Sequence, residues 1–417
     1  MSCQFGMNVG DYKRRRGIIA WICMTFVFFC LCPYLRILPL HLDAQPNALM
    51  LSVIIIALLG KHTINRECAW LLFVLISATI IMLLSNPNAL GLLILTNYIS
   101  LFCISYATYL ALKRLYGIPY RLFTAVVFLW FAVGLIQTFI SPSFLGFMTL
   151  RGSTSSALNG RGVASLAAEP TFYGMVSILM MIINYLNFKH HKHYKALFLC
   201  LVAQLIMSKS TTCVMALAIA FFLYILYCIV RKKHGIAYLL LLIMAGIALY
   251  HAARFYADNN STRLASVVKV LLESPSSFLF MDFSINNRFM HAFFPLKGFF
   301  DNFGLPHGLG HFNTYLLQQQ KSPEWGNLLQ YHVSQEYKIN TSIGGGCFEL
   351  GIFGLPVYYV IIHCLKRIKR RFNIEVALCG FVLFCMMLNS MNFNQAILPF
   401  LIGNLIYLKH RDIGILS

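Results

Sequence analysis

The sequence predicts an all-α protein: a polytopic membrane helical bundle of about twelve transmembrane helices, with one long extracytoplasmic loop that contains amphipathic helices. Three observations predict it. Hydrophobic residues make up 59% of 417 positions, more apolar surface than a soluble fold can hide. They come in runs near the roughly 20 residues that cross a bilayer core about 30 Å thick. The 33 Lys and Arg, set against 13 Asp and Glu, gather in the short segments between those runs. With only 11% charged residues, the net charge of +20 is no nucleic-acid surface, and loop placement explains it.

Taken in order, the apolar runs lie near 17 to 36, 47 to 60, 68 to 85, 90 to 112, 122 to 141, 171 to 188, 196 to 208, 212 to 230, 236 to 252, 344 to 364, 374 to 390 and 394 to 408. Those at 47 to 60 and 196 to 208 are short, and Lys209-Ser210 interrupts what would otherwise be one helix from 196 to 230. Lys13-Arg14-Arg15-Arg16 precedes a run long enough to span, with no small-residue cleavage site behind it, which reads as a cytoplasmic tail rather than a signal peptide. Placing the N-terminus inside puts most of the Lys and Arg, including Lys113, Lys189, Arg231 and Lys366 to Arg371, on the cytoplasmic side, with the C-terminus inside as well.

The expected organisation is one integral membrane domain over 1 to 417, with extracytoplasmic segments 142 to 170 and 251 to 343 as its active face. A loop as long as the second is usually functional. Phe289, Phe293, Leu296 and Phe300 recur on one helical face, which predicts an amphipathic helix over the membrane surface or a cavity, kinked by Pro295. Nearly all of the thirteen cysteines sit in apolar runs, and none lies between Tyr250 and Gly346, so the long loop has neither a disulfide staple nor a thiolate metal site. No internal repeat is visible.

Polar residues that suit chemistry gather at the outer face. Arg151 and Arg161 precede Glu169-Pro170-Thr171 at the start of the sixth run. Proline suits a first helical turn and a carboxylate is stabilised there, so Glu169 is either a helix-start residue or a working carboxylate beside two fixed cations. Lys209, in Ser208-Lys209-Ser210-Thr211-Thr212, either snorkels to the interface or adds a cation for an anionic headgroup. Arg288 and His291 stand one turn apart, away from the Phe stripe, where both can face one ligand. A glycine-rich turn, Gly304-Leu305-Pro306-His307-Gly308-Leu309-Gly310-His311, follows, and Glu349-Leu350-Gly351-Ile352-Phe353-Gly354 lies in the tenth run. His291, His307, His311 and His332 lack the spacing of a zinc site, and no metal is expected. His311 reads as a loop histidine or as a proton-transfer group.

Four of these segments, in this order, resemble the Wzy-type polysaccharide polymerases of bacterial inner membranes, which share an architecture with the O-antigen ligases. They are Arg161 to Thr171, similar to the family's Arg followed by Glu-Pro-Ser; Ser208-Lys209-Ser210-Thr211; Arg288 with its aromatic helix and the Pro306 to Gly310 turn; and Glu349 to Gly354. Where ligases carry a His-Asn pair before the Glu-x-Gly element, this sequence reads Ile339-Asn340-Thr341-Ser342, which favours the polymerase.

The resemblance implies transfer of a glycan from one undecaprenyl diphosphate carrier to a sugar hydroxyl on another, building O-antigen, capsular or exopolysaccharide chains. The implied partners are the undecaprenyl-diphosphate-linked oligosaccharide, the lipid bilayer, and a chain-length regulator and flippase of the same pathway. A lipid diphosphate is already a good leaving group, so the expectation includes no cofactor and no nucleotide-sugar domain. Arg161, Arg288, Arg151 and Lys209 are the cations for that diphosphate. His291 and Glu349 line the substrate. Glu169 is the first choice of general base, ahead of His311 and then Glu349. A ligase differs only in its acceptor. A lipid-linked glycan flippase is the rival of another class, and charges buried mid-span would favour it.

Overall fold

A computed structural model describes residues 17–37, 44–60, 64–85, 87–149, 162–231, 235–260, 263–280, 283–329, 338–368 and 373–412. Every regular element among them is helical. In chain order these are α1 (Ile18–Leu31), α2 (Asn47–Leu59), α3 (Arg66–Leu84), α4 (Ala89–Leu115), α5 (Tyr120–Phe139), α6 (Pro170–Phe188), α7 (Tyr194–Ser208), α8 (Thr211–Arg231) and α9 (Gly235–Asn259). There follow α10 (Arg263–Glu273), α11 (Phe283–Asp301), α12 (Phe312–Gln320), the single turn α13 (Gly326–Leu329), α14 (Ser342–Leu350), α15 (Pro356–Ile368), α16 (Ile374–Met387) and α17 (Ile397–Asp412).

All of the apolar runs fold as helix, but they are not equal in length. Among the described residues, α3, α4, α5, α6 and α8 are long and apolar enough to cross a membrane. The α1, α2, α7 and α16 helices are apolar but have 14, 13, 15 and 14 residues. At 1.5 Å per residue, such helices reach only about 20 Å, short of an upright crossing. Large apolar side chains, among them Trp21, Leu83, Leu84, Phe221 and Val230, stand exposed on the outer helix faces. That exterior suits lipid and not water.

The helices begin and end where the sequence supplies caps. Asn65 Oδ1 accepts from the Cys68 amide at 2.8 Å and Asn88 Oδ1 from the Gly91 amide at 2.5 Å, opening α3 and α4. The α4 helix closes with Lys113 and Arg114 in its last turn and Tyr116 in the left-handed region at φ 58°.

The bundle is organised around α17, which is buried from Ile397 through His410. It packs against α4, α15, α6 and α1. Gly403 makes the α4 contact possible, because a Cβ there would collide with the Ser105 carbonyl, and Ser105 Oγ donates to the Pro399 carbonyl at 2.9 Å. The α5–α6–α7 group is joined by Gln204, which accepts from Ser177 Oγ at 3.2 Å and donates to the Val127 carbonyl at 2.9 Å.

The tenth apolar run departs from a straight span. The α14 helix runs on through a short 3₁₀ turn, Gly351–Gly354, and the piece from Ser342 to Gly354 meets α15 at a bend of 92° just before Pro356. Gly351 holds φ +58° with its Cα against the Gly304 carbonyl, where a side chain would clash. The Ile352 amide donates to that same carbonyl at 2.9 Å, and Pro356 opens the next helix.

The long segment before α14 forms a small core of its own. Met290, Phe294, Phe312, Tyr315, Leu316, Leu328, Leu329, Ile339 and Phe348 are buried together. The face that α11 buries is therefore Asn286, Met290 and Phe294, one residue round from the stripe read in the sequence. Phe289 and Phe293 stack at 5.0 Å on the edge of this core, and Phe300 is 72% exposed. Pro295 lies inside α11.

Candidate functional site

The first element of the site is the segment leading into α6. Val163 to Ala168 are buried, and the Val163 amide donates to the Met207 carbonyl at 3.1 Å. A Cβ on Gly162 would strike the Ser208 backbone, so this segment lies flat on the end of α7. Ser165 is tied to α5, its amide donating to Gln137 Oε1 at 2.7 Å and its hydroxyl to the Trp130 carbonyl at 2.8 Å. Glu169 then stands at the N-cap position in extended backbone (φ −147°, ψ 156°), with Pro170 in the first turn. Its side chain makes no capping hydrogen bond, so the helix-start role is limited to its charge.

The second element is the turn between α7 and α8. Lys209 ends α7 in the left-handed region at φ 47° with its side chain exposed. Gly174, one turn into α6, sits where any side chain would press on Ser208, Ser210 and Cys213. The starts of α6 and α8 are thereby held together. Arg288, near the start of α11, reaches both: its Nη1 donates to Thr212 Oγ1 at 2.8 Å and its Nη2 to Thr171 Oγ1 at 2.9 Å. Glu169-Pro170-Thr171, Lys209 to Thr212 and Arg288 are remote in sequence, and the fold brings them to one place.

His291 does not share that place. It is 1% exposed and turned towards α14: its Nδ1 lies 3.4 Å from the Asn340 amide, its carbonyl accepts from Thr341 Oγ1 at 2.9 Å, and its ring packs 5.7 Å from Phe312. The expectation that Arg288 and His291 face one ligand fails because successive turns of α11 pack against different neighbours.

His311 belongs to a second cluster, where the 304–311 turn lies against the α3–α4 connection. Gly308 approaches Ser85, and Gly310 approaches Asn88 and Gly91, as only glycines could. His307 stacks on Phe348 at 4.2 Å with its Nε2 2.9 Å from the Gly298 carbonyl. His311 begins α12, half-buried, and its Nδ1 has no hydrogen-bond partner among the described residues. Glu349 is 3% exposed: its carbonyl accepts from the Gly308 amide at 3.3 Å and its Oε2 from the Tyr98 hydroxyl at 2.6 Å. It braces the turn from beneath. Arg151, Arg161 and His332 lie outside the described residues.

At the far end of α11, Asp301 Oδ2 accepts from Lys297 at 2.6 Å and from the Tyr315 hydroxyl at 2.7 Å. Burial works against the Asp301 charge, but those two hydrogen bonds outweigh it and hold the carboxyl below the usual carboxylate range. Burial, then the neighbouring carboxylate, pushes the Tyr315 hydroxyl up.

Sequence reasoning missed Thr171 and Thr212 as partners of Arg288, and Tyr98 as the partner of Glu349. The threonines carried a signal, since each is the second residue of a helix flanked by a motif. Tyr98 carried none, being one aromatic among many in an apolar run. It also missed a buried ionic group at the opposite end of the bundle. Glu67, on the first turn of α3, accepts from Lys409 Nζ and lies 3.0 Å from His410 Nε2 and 3.9 Å from His363 Nε2. Among the described residues no group of three or more His, Cys, Asp or Glu is arranged to hold a metal ion. No protein-family model matches the chain, and no curated protein matches it.

Proposed function

We propose that this chain is a Wzy-type polymerase that joins undecaprenyl-diphosphate-linked oligosaccharide repeats into O-antigen, capsular or exopolysaccharide chains. In this reading the protein crosses the bacterial inner membrane about twelve times with both termini in the cytoplasm, the shorter helices being supported by their neighbours. The observation that carries the reading is Arg288, fixed between the starts of α6 and α8, with Lys209 and Glu169 on the same two connections.

Two helix N-termini, a guanidinium and an ammonium make a site for negative charge. A departing diphosphate brings that charge, and arginine's planar fork matches phosphate oxygens. In the reaction, the acceptor hydroxyl gives up its proton to Glu169 as its oxygen bonds to the anomeric carbon of the donor. The bond from that carbon to the diphosphate oxygen breaks, and the diphosphate leaves on its own carrier against Arg288 and Lys209. Balance requires no oxidant, reductant or nucleotide.

The test is polymerisation of lipid-linked repeats by purified protein in liposomes. Arg288→Ala should yield single repeats and no chains, and Arg288→Lys should recover only part, because lysine keeps charge and loses the fork. Parental chain-length ladders from both variants would leave Arg288 a structural anchor and remove the proposal's main support.

A further inference from the structure

We infer that the outer seam where α3 packs on α15 is a binding site for one anionic phospholipid of the cytoplasmic leaflet, its headgroup on Arg66, Arg367 and His363 and an acyl chain along a ladder of aromatic rings. The inference takes the orientation proposed above and uses none of the polymerase chemistry.

Two helical stripes build the seam. Arg66, Trp70 and Phe73 recur at i, i+4 and i+7 on α3, and Tyr359, His363 and Arg367 at i, i+4 and i+8 on α15, so each stripe keeps to one helix face. Both carry their arginine at the same end, since Glu67, beside Arg66, lies 3.9 Å from His363 Nε2. Ring contacts then join the stripes. His363 stacks on Tyr359 with centroids 5.5 Å apart, Tyr359 meets Trp70 at 6.3 Å, Trp70 meets Phe73 at 5.9 Å, and Phe73 meets Phe353 of the 3₁₀ turn at 6.4 Å.

The ladder looks outward, with Phe73 41%, Tyr359 46% and Phe353 38% exposed. From Arg66 to Phe73 it runs about 10 Å along α3. One leaflet contributes about 15 Å to the apolar core, so the rings cover most of the depth that an acyl chain occupies.

The polar end is cationic. Arg66 and Arg367 are exposed, both lie near enough to His363 to act on its charge, and among the described residues neither forms an ion pair. Glu67 does not cancel them, because it is buried and already engaged by Lys409 and His410. That charge pattern decides the occupant. A phosphodiester brings one negative charge and oxygens that arginine's planar fork matches. A zwitterionic headgroup adds a cation that two arginines repel, a soluble anion leaves the rings bare, and an apolar partner helix leaves the arginines unmatched.

The experiment counts lipids bound to the full-length protein in detergent by native mass spectrometry, as dioleoyl phosphatidylglycerol or dioleoyl phosphatidylcholine is titrated in. The first phosphatidylglycerol should bind at least tenfold more tightly than phosphatidylcholine. Arg66→Gln and Arg367→Gln should each weaken it about fivefold, the effect of one basic residue near a membrane surface, and the double variant should hold the two lipids alike. Phe73→Ala with Tyr359→Ala should weaken both lipids and leave the headgroup preference in place. Lys192→Gln with Lys195→Gln removes the same charge from another exposed part of the basic face and should change nothing.

Thermal melts accompany every variant, and where Arg66→Gln melts lower than the parent, Arg66→Lys replaces it and should still bind more weakly for want of the fork. Equal affinity of the parent for the two lipids overturns the inference, as does a lysine pair that costs as much as the arginine pair. Competition by glycerol 3-phosphate at the concentration of the lipid would make this an anion site without a lipid. All of these outcomes leave the Arg288 site, and the polymerase reading built on it, as they stand.

Discussion

Glu67 provides the sharpest test of how this bundle is held. It is 3% exposed on the first turn of α3, and both its oxygens are engaged by the last turns of α17, through Lys409 and His410, each 8% exposed. Replacing Glu67 by Ala leaves a buried ammonium facing an imidazole with no counter-charge. At an effective dielectric near 20, one such pair about 3 Å apart is worth about 5 kcal/mol before desolvation is subtracted. Breaking a buried pair from one side typically costs about 3 to 5 kcal/mol.

We expect Glu67→Ala to lose stability in that range in equilibrium unfolding from mixed micelles, read by far-UV circular dichroism. Adding Lys409→Met should restore much of the loss, because apolar replacement of a buried pair is often neutral. A Glu67→Ala loss below about 1 kcal/mol, the size of an exposed ion pair, would mean that water reaches the group and would refute the argument.

Three further outcomes follow from the geometry. Glu169→Gln keeps size and an acceptor oxygen, so folding should change by no more than about 1 kcal/mol of dipole energy; polymerisation should fall by about 10² or more if Glu169 takes the proton, and a near-parental rate would pass that role to His311. Gly351→Ala forces a side chain into the left-handed region against the Gly304 carbonyl, so the yield of folded protein and its melting temperature should both drop, by at least the 1 to 3 kcal/mol that such strain costs, roughly. Asp301, with its folded-state pKa depressed, contributes stability that is present above the ordinary carboxylate range and lost as pH falls through the folded value; because the group is partly exposed, Asp301→Asn should remove only a few tenths of a kcal/mol, roughly, from the acid-sensitive part of a pH-dependent melt.

The helical class and the places where helices start and stop were legible because they are local. Apolar runs and Pro170 at a helix start act over a few residues. The bend between Gly354 and Pro356 was not, because a run of apolar residues with glycines reads the same whether straight or broken, and the Gly304 carbonyl that packs on Gly351 comes from another segment. Glu67 and Lys409 sat at the ends of runs, where charge reads as a loop, and only the 342-residue separation in the fold's closure joins them. Within the candidate site, the motif residues were visible one by one. Their convergence on Arg288 depends on Gly162 and Gly174 letting three backbones approach, which no pattern of spacing encodes. The buried face of α11 was misread by one position because phenylalanines lie on both sides of it, so hydrophobicity alone could not choose between Phe293 and Phe294.

The burial of α17 has a consequence for biosynthesis. Ribosomes deliver helices in sequence order, and every helix that packs on α17 is made before it. Until Ile397 to His410 arrive, α4, α6 and α15 surround a gap, and Glu67 waits in the membrane without the Lys409 and His410 side chains that meet it. Stopping synthesis short of Lys409 should therefore do more than trim an end. It should leave an assembly whose walls are complete and whose centre is missing, the kind of intermediate that membrane quality-control proteases recognise by its open seam.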